Sequence, residues 1–285
     1  MALFQRHTPS VRAADAADLE ALLQIATRVW RSFSNVRAEL LAEQLRRAQS
    51  WVLSSPGHID GFLSAQLRPF SIAKIVAVAV SDDQHVPHCL KLLLPRAEQS
   101  LRQLGAHALV QVGYAPWLTD ALLDRGFVRR GWVISYRWDQ QPIALAGNMD
   151  VGVRPALLSD LPELLALDER AFGPIWHKEQ PEIENALTSC FMFSVATWQG
   201  RIVGYQWSER FEQQGHLTRL AVHPDWEGRG VGTRLLTEAI LAMTRGGVTW
   251  ITLNTQEDNH RSRRLYERYG FRLIDHRVAV LWKDV

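Results

Sequence analysis

Three glycines at alternate positions lie between a strand-like run and a helix-like run in residues 219–235 of this 285-residue chain, a pattern that can seat a phosphate. The apolar run ends at Val222 and His223-Pro224-Asp225 interrupts it. Gly228, Gly230 and Gly232 follow, and then Leu235, Leu236, Ile240 and Leu241 fall at helical spacing. Glycine lets the backbone approach a ligand closely, and the first N–H groups of a helix have no intrahelical partner. The backbone of Gly228, Arg229, Gly230, Val231, Gly232 and Thr233 is therefore read as an anion seat. The spacing is G-x-G-x-G, which is not a dinucleotide fingerprint. Thr233-Arg234 follows the last glycine, where a P-loop needs Lys-Ser/Thr.

A second group of residues could act on what that seat holds. Residues 259–271 read Asn-His-Arg-Ser-Arg-Arg-Leu-Tyr-Glu-Arg-Tyr-Gly-Phe. Ser262, Leu265, Tyr266 and Tyr269 fall on one helical stripe, Gly270 stops the helix, and Phe271 opens the next strand. Asn259 is placed to cap that helix, to hold a ligand, or both. With this element, the loop resembles the GNAT N-acetyltransferase family. That family's acetyl-CoA loop is written Gln/Arg-x-x-Gly-x-Gly/Ala, and its later motif Asn-x-x-Ala/Ser-x-x-Leu-Tyr-x-x-x-Gly-Phe. Asn259, Ser262, Leu265, Tyr266, Gly270 and Phe271 match the second motif, and Gly230 and Gly232 match the first. Glu227 departs from it, putting a negative charge beside the expected pyrophosphate seat.

The resemblance covers residues 151–285 and implies acetyl transfer from acetyl-CoA to a primary amine in a ternary complex. It makes Tyr266 the general acid for the departing thiolate, and Asn259 and Ser262 cofactor contacts. The strand Leu220-Ala221-Val222 would bind pantetheine through its backbone, with an N–H near Val222 polarising the thioester carbonyl. Arg261, Arg263 and Arg264, with Arg229 and Arg234, could meet a ribose phosphate or simply face solvent. Many family members carry a Glu two residues before the position of Leu220, where this chain has Thr218. His216, with an ordinary pKa near neutrality, is the candidate base, and Glu209 and Glu212 are alternatives. The acceptor is a small amine or a peptide N-terminus. A non-catalytic acyl-CoA sensor of the same fold is the alternative function.

The positioning elements are written twice. Val11-Arg12 aligns with Val153-Arg154, Asp18 with Asp160, Gly57 with Gly200, Ala79-Val80 with Ala221-Val222, and Gly126-Phe127 with Gly270-Phe271, at offsets of 142 to 144. Each copy reads as strand, helix, hairpin, long strand, helix, strand, helix and a last strand pair. The expected fold class is α/β (α+β): two tandem GNAT-like domains, each a mixed, mostly antiparallel sheet with helices on both faces. The expected domains are 1–143, a degenerate copy that shapes the substrate cleft or, alternatively, keeps a weakened, vestigial CoA site, and 150–285, the catalytic copy that binds acetyl-CoA. In the first copy the loop aligns with His85–Lys91, which has no glycine and gains Pro87. Ala115 and Leu122 replace Asn259 and Tyr266.

Composition narrows the rest. Net charge is +2, which argues against nucleic acid or an anionic membrane as partner, and no apolar run is long enough to span a bilayer. The N-terminus lacks a signal-peptide core. Cys89 and Cys190 have no metal spacing, so no metal is expected and both are read as reduced residues of a cytoplasmic protein. The internal repeat suggests a monomer that mimics a dimer.

Overall fold

In the computed structural model, residues 10–29, 31–36, 38–56, 58–81, 85–143 and 146–285 are described. Gly57, one of the aligned repeat positions, lies outside them. The first half runs β1 (Ser10–Ala13), α1 (Leu19–Arg28), β2 (Arg31–Ser34), α2 (Ala38–Arg47), β3 (Gln49–Ser55), β4 (His58–Arg68) and β5 (Ile72–Val80). It continues with α3 (Val86–Gln103), β6 (Ala108–Val112), α4 (Pro116–Leu123) and β7 (Val128–Trp138). The second half runs β8 (Gly152–Pro155), α5 (Leu161–Ala171), α6 (Gln180–Ser189), β9 (Met192–Trp198), β10 (Arg201–Phe211) and β11 (Gln214–Val222). It ends with α7 (Val231–Arg245), β12 (Trp250–Gln256), α8 (His260–Arg268) and β13 (Arg272–Asp284).

The chain forms two compact units, but not at the expected boundaries. One contains the residues up to Trp132 together with Val278–Val285; the other is Val133–Arg277. Among the described residues each half ends in one long strand where a strand pair was expected. Arg272–Asp284 offers no glycine or proline for a hairpin turn, and Gly131 in β7 does not adopt a positive φ. Each strand therefore runs on: Val133–Trp138 pairs with β12 in the second unit, and Val280–Asp284 pairs with β6 in the first.

In the second unit the strand order runs β8-β9-β10-β11-β12 and on to Val133–Trp138 of β7. All pairs are antiparallel except β11 with β12. Alternation along the strands splits the core. Tyr205, Trp207 and Ala221 point to one face, against Leu164 and Leu167 of α5 and Ile183 of α6. Val203, Leu220 and Val222 point to the other, against Val231 and Leu235 of α7. Burying each such leucine or isoleucine contributes roughly 1.5–3 kcal/mol.

The first unit repeats the plan in the order β1-β3-β4-β5-β6 and Val280–Asp284, with β2 also on β5. Its parallel pair is in the same register: Ile72 faces Ala108, as Gln214 faces Trp250, 142 residues on. The helix entry is duplicated too. Arg12 holds Asp18 through two bonds of 2.6 and 2.7 Å, and Arg154 holds Asp160 at 2.7 and 2.8 Å. Both carboxylates also accept a backbone N–H at 2.8 Å, from Asp15 and from Leu157.

Candidate acyl-CoA site

The centre of the second unit is a strand pair that parts. β11 and β12 pair only over Gln214–Leu217 and Trp250–Leu253, while β11 continues to Val222. Against β10, Trp207 faces Arg219 and Ser208 faces Leu217, so Thr218 is the extra residue of a β-bulge. His223 N–H bonds Val203 C=O at 2.9 Å, which sets the phase of the antiparallel ladder. By alternation the backbone groups of Leu220 and Val222 point away from β10 into the opening. Those of Ala221 point to Tyr205 on β10 instead. Of the three strand residues expected to meet pantetheine, the middle one thus faces the wrong way, because successive residues of a strand alternate.

The opening leads to the glycine loop. Gly228 and Gly230 adopt left-handed φ of 76° and 78°, which glycine tolerates best. Helix α7 starts at Val231 with Gly232 and Thr233 in its first turn. A Cβ at Gly232 would meet Val222 at 3.4 Å and Leu265 at 3.6 Å, so the end of β11, the start of α7 and α8 converge there. Asn148 was not read from the sequence. Its Nδ2 donates to Arg229 C=O at 2.8 Å and its N–H to Gly230 C=O at 3.1 Å. By taking those carbonyls it holds the loop in place. Tyr269 braces the other side, with its hydroxyl 2.8 Å from Thr233 C=O and 2.6 Å from Thr237 Oγ1.

The departure at Glu227 has a physical resolution. Its carboxylate pairs with Arg261 on α8, so the loop carries a neutral pair. The expected basic cluster is partly committed elsewhere. Arg234 binds Glu238 at 3.0 Å, Arg263 donates to Glu257 C=O at 2.8 Å, and Arg229 lies over the Trp226 ring at 5.1 Å.

Tyr266 is buried between Tyr136 and Phe271, with ring centroids 6.2 and 5.9 Å away. Burial pushes its phenol up to about 12, and a hydrogen bond with Ser262 pulls the other way. The group stays protonated across the physiological range. Asn259 caps α8, its Oδ1 accepting Ser262 N–H at 3.1 Å. His216 faces Glu209 on β10 and Thr252 on β12, with Nδ1 2.8 Å from Thr252 Oγ1. Burial lowers its pKa, and the nearby Glu209 charge opposes that. Glu212 sits exposed in the β10–β11 turn with a φ of 52°.

A buried ion pair stands on the same sheet face as His216. Asp168, at the end of α5, is 0% exposed. One oxygen accepts Lys178 N–H at 2.5 Å. The other takes Arg219 Nη2 at 2.5 Å, Arg219 Nε at 2.9 Å and the Tyr205 hydroxyl. The Arg219 guanidinium lies 3.4 Å over the Phe172 ring. No spacing in the sequence marks this cluster, since its members come from three distant elements.

Residues 161–271 match the model of the Acetyltransferase (GNAT) family. The second half of the chain thus carries a GNAT acetyltransferase domain over these residues. A mycothiol acetyltransferase of Propionibacterium freudenreichii is 31% identical over 129 residues, 40% of this chain and 41% of that protein. One from Acidimicrobium ferrooxidans is 29% identical over 220 residues, covering 67% of each. The match to the first therefore spans less than half of that relative. A tandem GNAT protein from the clavulanic acid biosynthesis pathway superposes with a TM-score of 0.65 at 14% identity, over 96% of this chain and 98% of that one. That likeness establishes the tandem fold. Among the described residues, no helix is long and apolar enough to cross a membrane.

Proposed function

We propose that the second unit transfers an acetyl group from acetyl-CoA to a primary amine by direct attack in a ternary complex. One observation carries the reading: a strand edge open at Leu220 and Val222 that leads to a glycine-bearing helix N-terminus. Such an edge accepts an extended, amide-bearing ligand by strand addition, and the helix start accepts its diphosphate. Pantetheine and pyrophosphate are joined in that order in coenzyme A.

The chemistry then distributes over named atoms. The amine nitrogen attacks the thioester carbonyl carbon and a C–N bond forms. Charge grows on the carbonyl oxygen, where an open backbone N–H near Val222 stabilises it. The C–S bond breaks and the thiolate takes the proton of Tyr266 Oη, which is restored from solvent. The proton lost by the amine goes to His216, which burial keeps neutral at pH 7. The names of the two relatives support a small amine of the mycothiol-precursor kind as acceptor. A peptide N-terminus is the competing class.

The test is acetyl-CoA-dependent acetylation of small amino sugars and N-terminal peptides by the full chain. Tyr266→Phe should lower kcat by about 10²-fold or more while acetyl-CoA affinity stays within about threefold. Acetyl-CoA binding without turnover of any amine would instead favour an acyl-CoA-binding module.

A further inference from the structure

The segment joining the first two helices of each unit takes opposite positions in the two units. Helices α1 and α2 begin at Leu19 and Ala38; α5 and α6 begin at Leu161 and Gln180, with the same spacing. In the first unit this segment is β2, and it lies on the far end of β5. Arg31 pairs with Val80, Phe33 with Val78 and Ser34 with Ala77, and Asn35 N–H reaches Val76 C=O at 3.0 Å. Val76 is the bulge residue there, between Ala77 and Ile75. Ser81 N–H bonds Asp60 C=O at 2.8 Å, so Val78 and Val80 turn their backbone groups away from β4. Val76, Val78 and Val80 are the counterparts of Thr218, Leu220 and Val222, 142 residues on. The edge left open for pantetheine in the second unit is therefore filled in the first by the chain's own backbone. The Phe33 ring fills the gap so closely that a Cβ on Gly113 would lie 2.3 Å from it.

In the second unit the corresponding residues, Gly173–Trp176, form a turn. Trp176 and His177 return their N–H groups to Gly173 C=O at 2.9 and 3.2 Å, and Lys178 N–H is held by Asp168 at 2.5 Å. Pro174 does not forbid a strand here, because its counterpart Ser32 pairs with Ala79, whose backbone groups turn toward β4 and away from β2. What differs is the anchor. The counterparts of Asp168, Tyr205 and Arg219 are Ala26, Phe62 and Ala77, which pack in an apolar cluster and offer no carboxylate to a backbone N–H.

We propose that this segment is an internal strand that can close the acyl-CoA cleft, that it closes the cleft of the first unit, and that Asp168 holds it away in the second. The proposal rests on reading that cleft as the acyl-CoA site. Asp168 is on this account a positioning residue: it fixes the open edge and touches no reacting atom. One chain then binds one acyl-CoA, with the first unit occupied by its own β2.

Amide-resolved hydrogen exchange on the full chain tests this. In the wild type, Val78 and Val80 should be protected without ligand and unchanged by acetyl-CoA. Leu220 and Val222 should exchange quickly and become protected when acetyl-CoA is added. The triple variant Asp168→Ala/Tyr205→Phe/Arg219→Ala copies the first unit and leaves no unpaired buried charge. In it Leu220 and Val222 should be protected before any ligand is added. Acetyl-CoA should bind at least about tenfold more weakly, as expected if the open form falls to a tenth of the population. Fast exchange at Val78 and Val80, two acetyl-CoA bound per chain, or a folded triple variant with wild-type exchange and affinity would overturn the proposal. Should the triple variant not fold, the wild-type protection pattern still decides the first unit, and the double variant Asp168→Ala/Arg219→Ala, read by the same exchange at Leu220 and Val222, decides the second. If acetyl-CoA leaves Leu220 and Val222 unprotected while Val78 and Val80 remain protected, the acyl-CoA reading fails and the closure of the first unit stands.

Discussion

Tyr266 and His216 are both shifted by burial, in directions that suit opposite tasks. A buried phenol resists ionisation and a buried imidazole resists protonation, so one keeps its proton and the other stays ready to take one. The acid limb of kcat/KM should therefore fall below the ordinary histidine value of about 6.5. Removing the opposing charge with Glu209→Gln should move that limb to still lower pH. A limb above 6.5, or one unchanged in His216→Gln, would exclude His216 as the base. The same residue-scale logic explains Glu227. Against the family motif it reads as a misplaced charge, and only the three-dimensional contact with Arg261 on α8 neutralises it.

Two elements, the glycine loop and the helix entry, carry predictions of their own. Asn148→Ala removes the side-chain bond to Arg229 C=O, so the loop loses one of its two ties to that residue. Acetyl-CoA KM should rise several-fold with kcat little changed, as steady-state kinetics would show; an unchanged KM would mean the loop stands without it. The Arg154–Asp160 pair gives a thermal signature. Its arginine holds the Asp160 carboxyl below the usual carboxylate range. Such a group contributes stability at pH values above its unfolded pKa and loses it as pH falls through the folded value. Asp160→Asn should cost about 1 kcal/mol at pH 7, and the gap to wild type should close in acid. Thermal melts across pH 2–7 measure this, and a gap that widens in acid would contradict it.

Across the whole molecule, the repeat was legible because the residues that carry it are local signals: Val-Arg before an acidic helix start, Gly-Phe after the last helix, glycines in turns. The strand, loop and helix that frame the site were legible for the same reason. The unit boundaries were not, because a long strand that runs on instead of folding back leaves no mark in its own sequence. Neither the Asp168 cluster nor the tie from Asn148 could be seen, since each joins residues far apart in the chain. The first copy's glycine-free loop was readable, while the strand that fills its cleft was not: Arg31–Ser34 looks like any short polar segment. Acetyl-CoA calorimetry on the full chain tests the central claim most directly, comparing wild type with Gly232→Asp. At Gly230 a side chain would strain a left-handed φ and press on Asn148, whereas at Gly232 a Cβ meets only ordinary contacts. Aspartate in the first turn suits the helix but repels a diphosphate. The account predicts one acetyl-CoA per wild-type chain and a loss of at least about tenfold in affinity in the variant, with the melting temperature kept. Absence of binding in the wild type, or undiminished binding in Gly232→Asp, would contradict it.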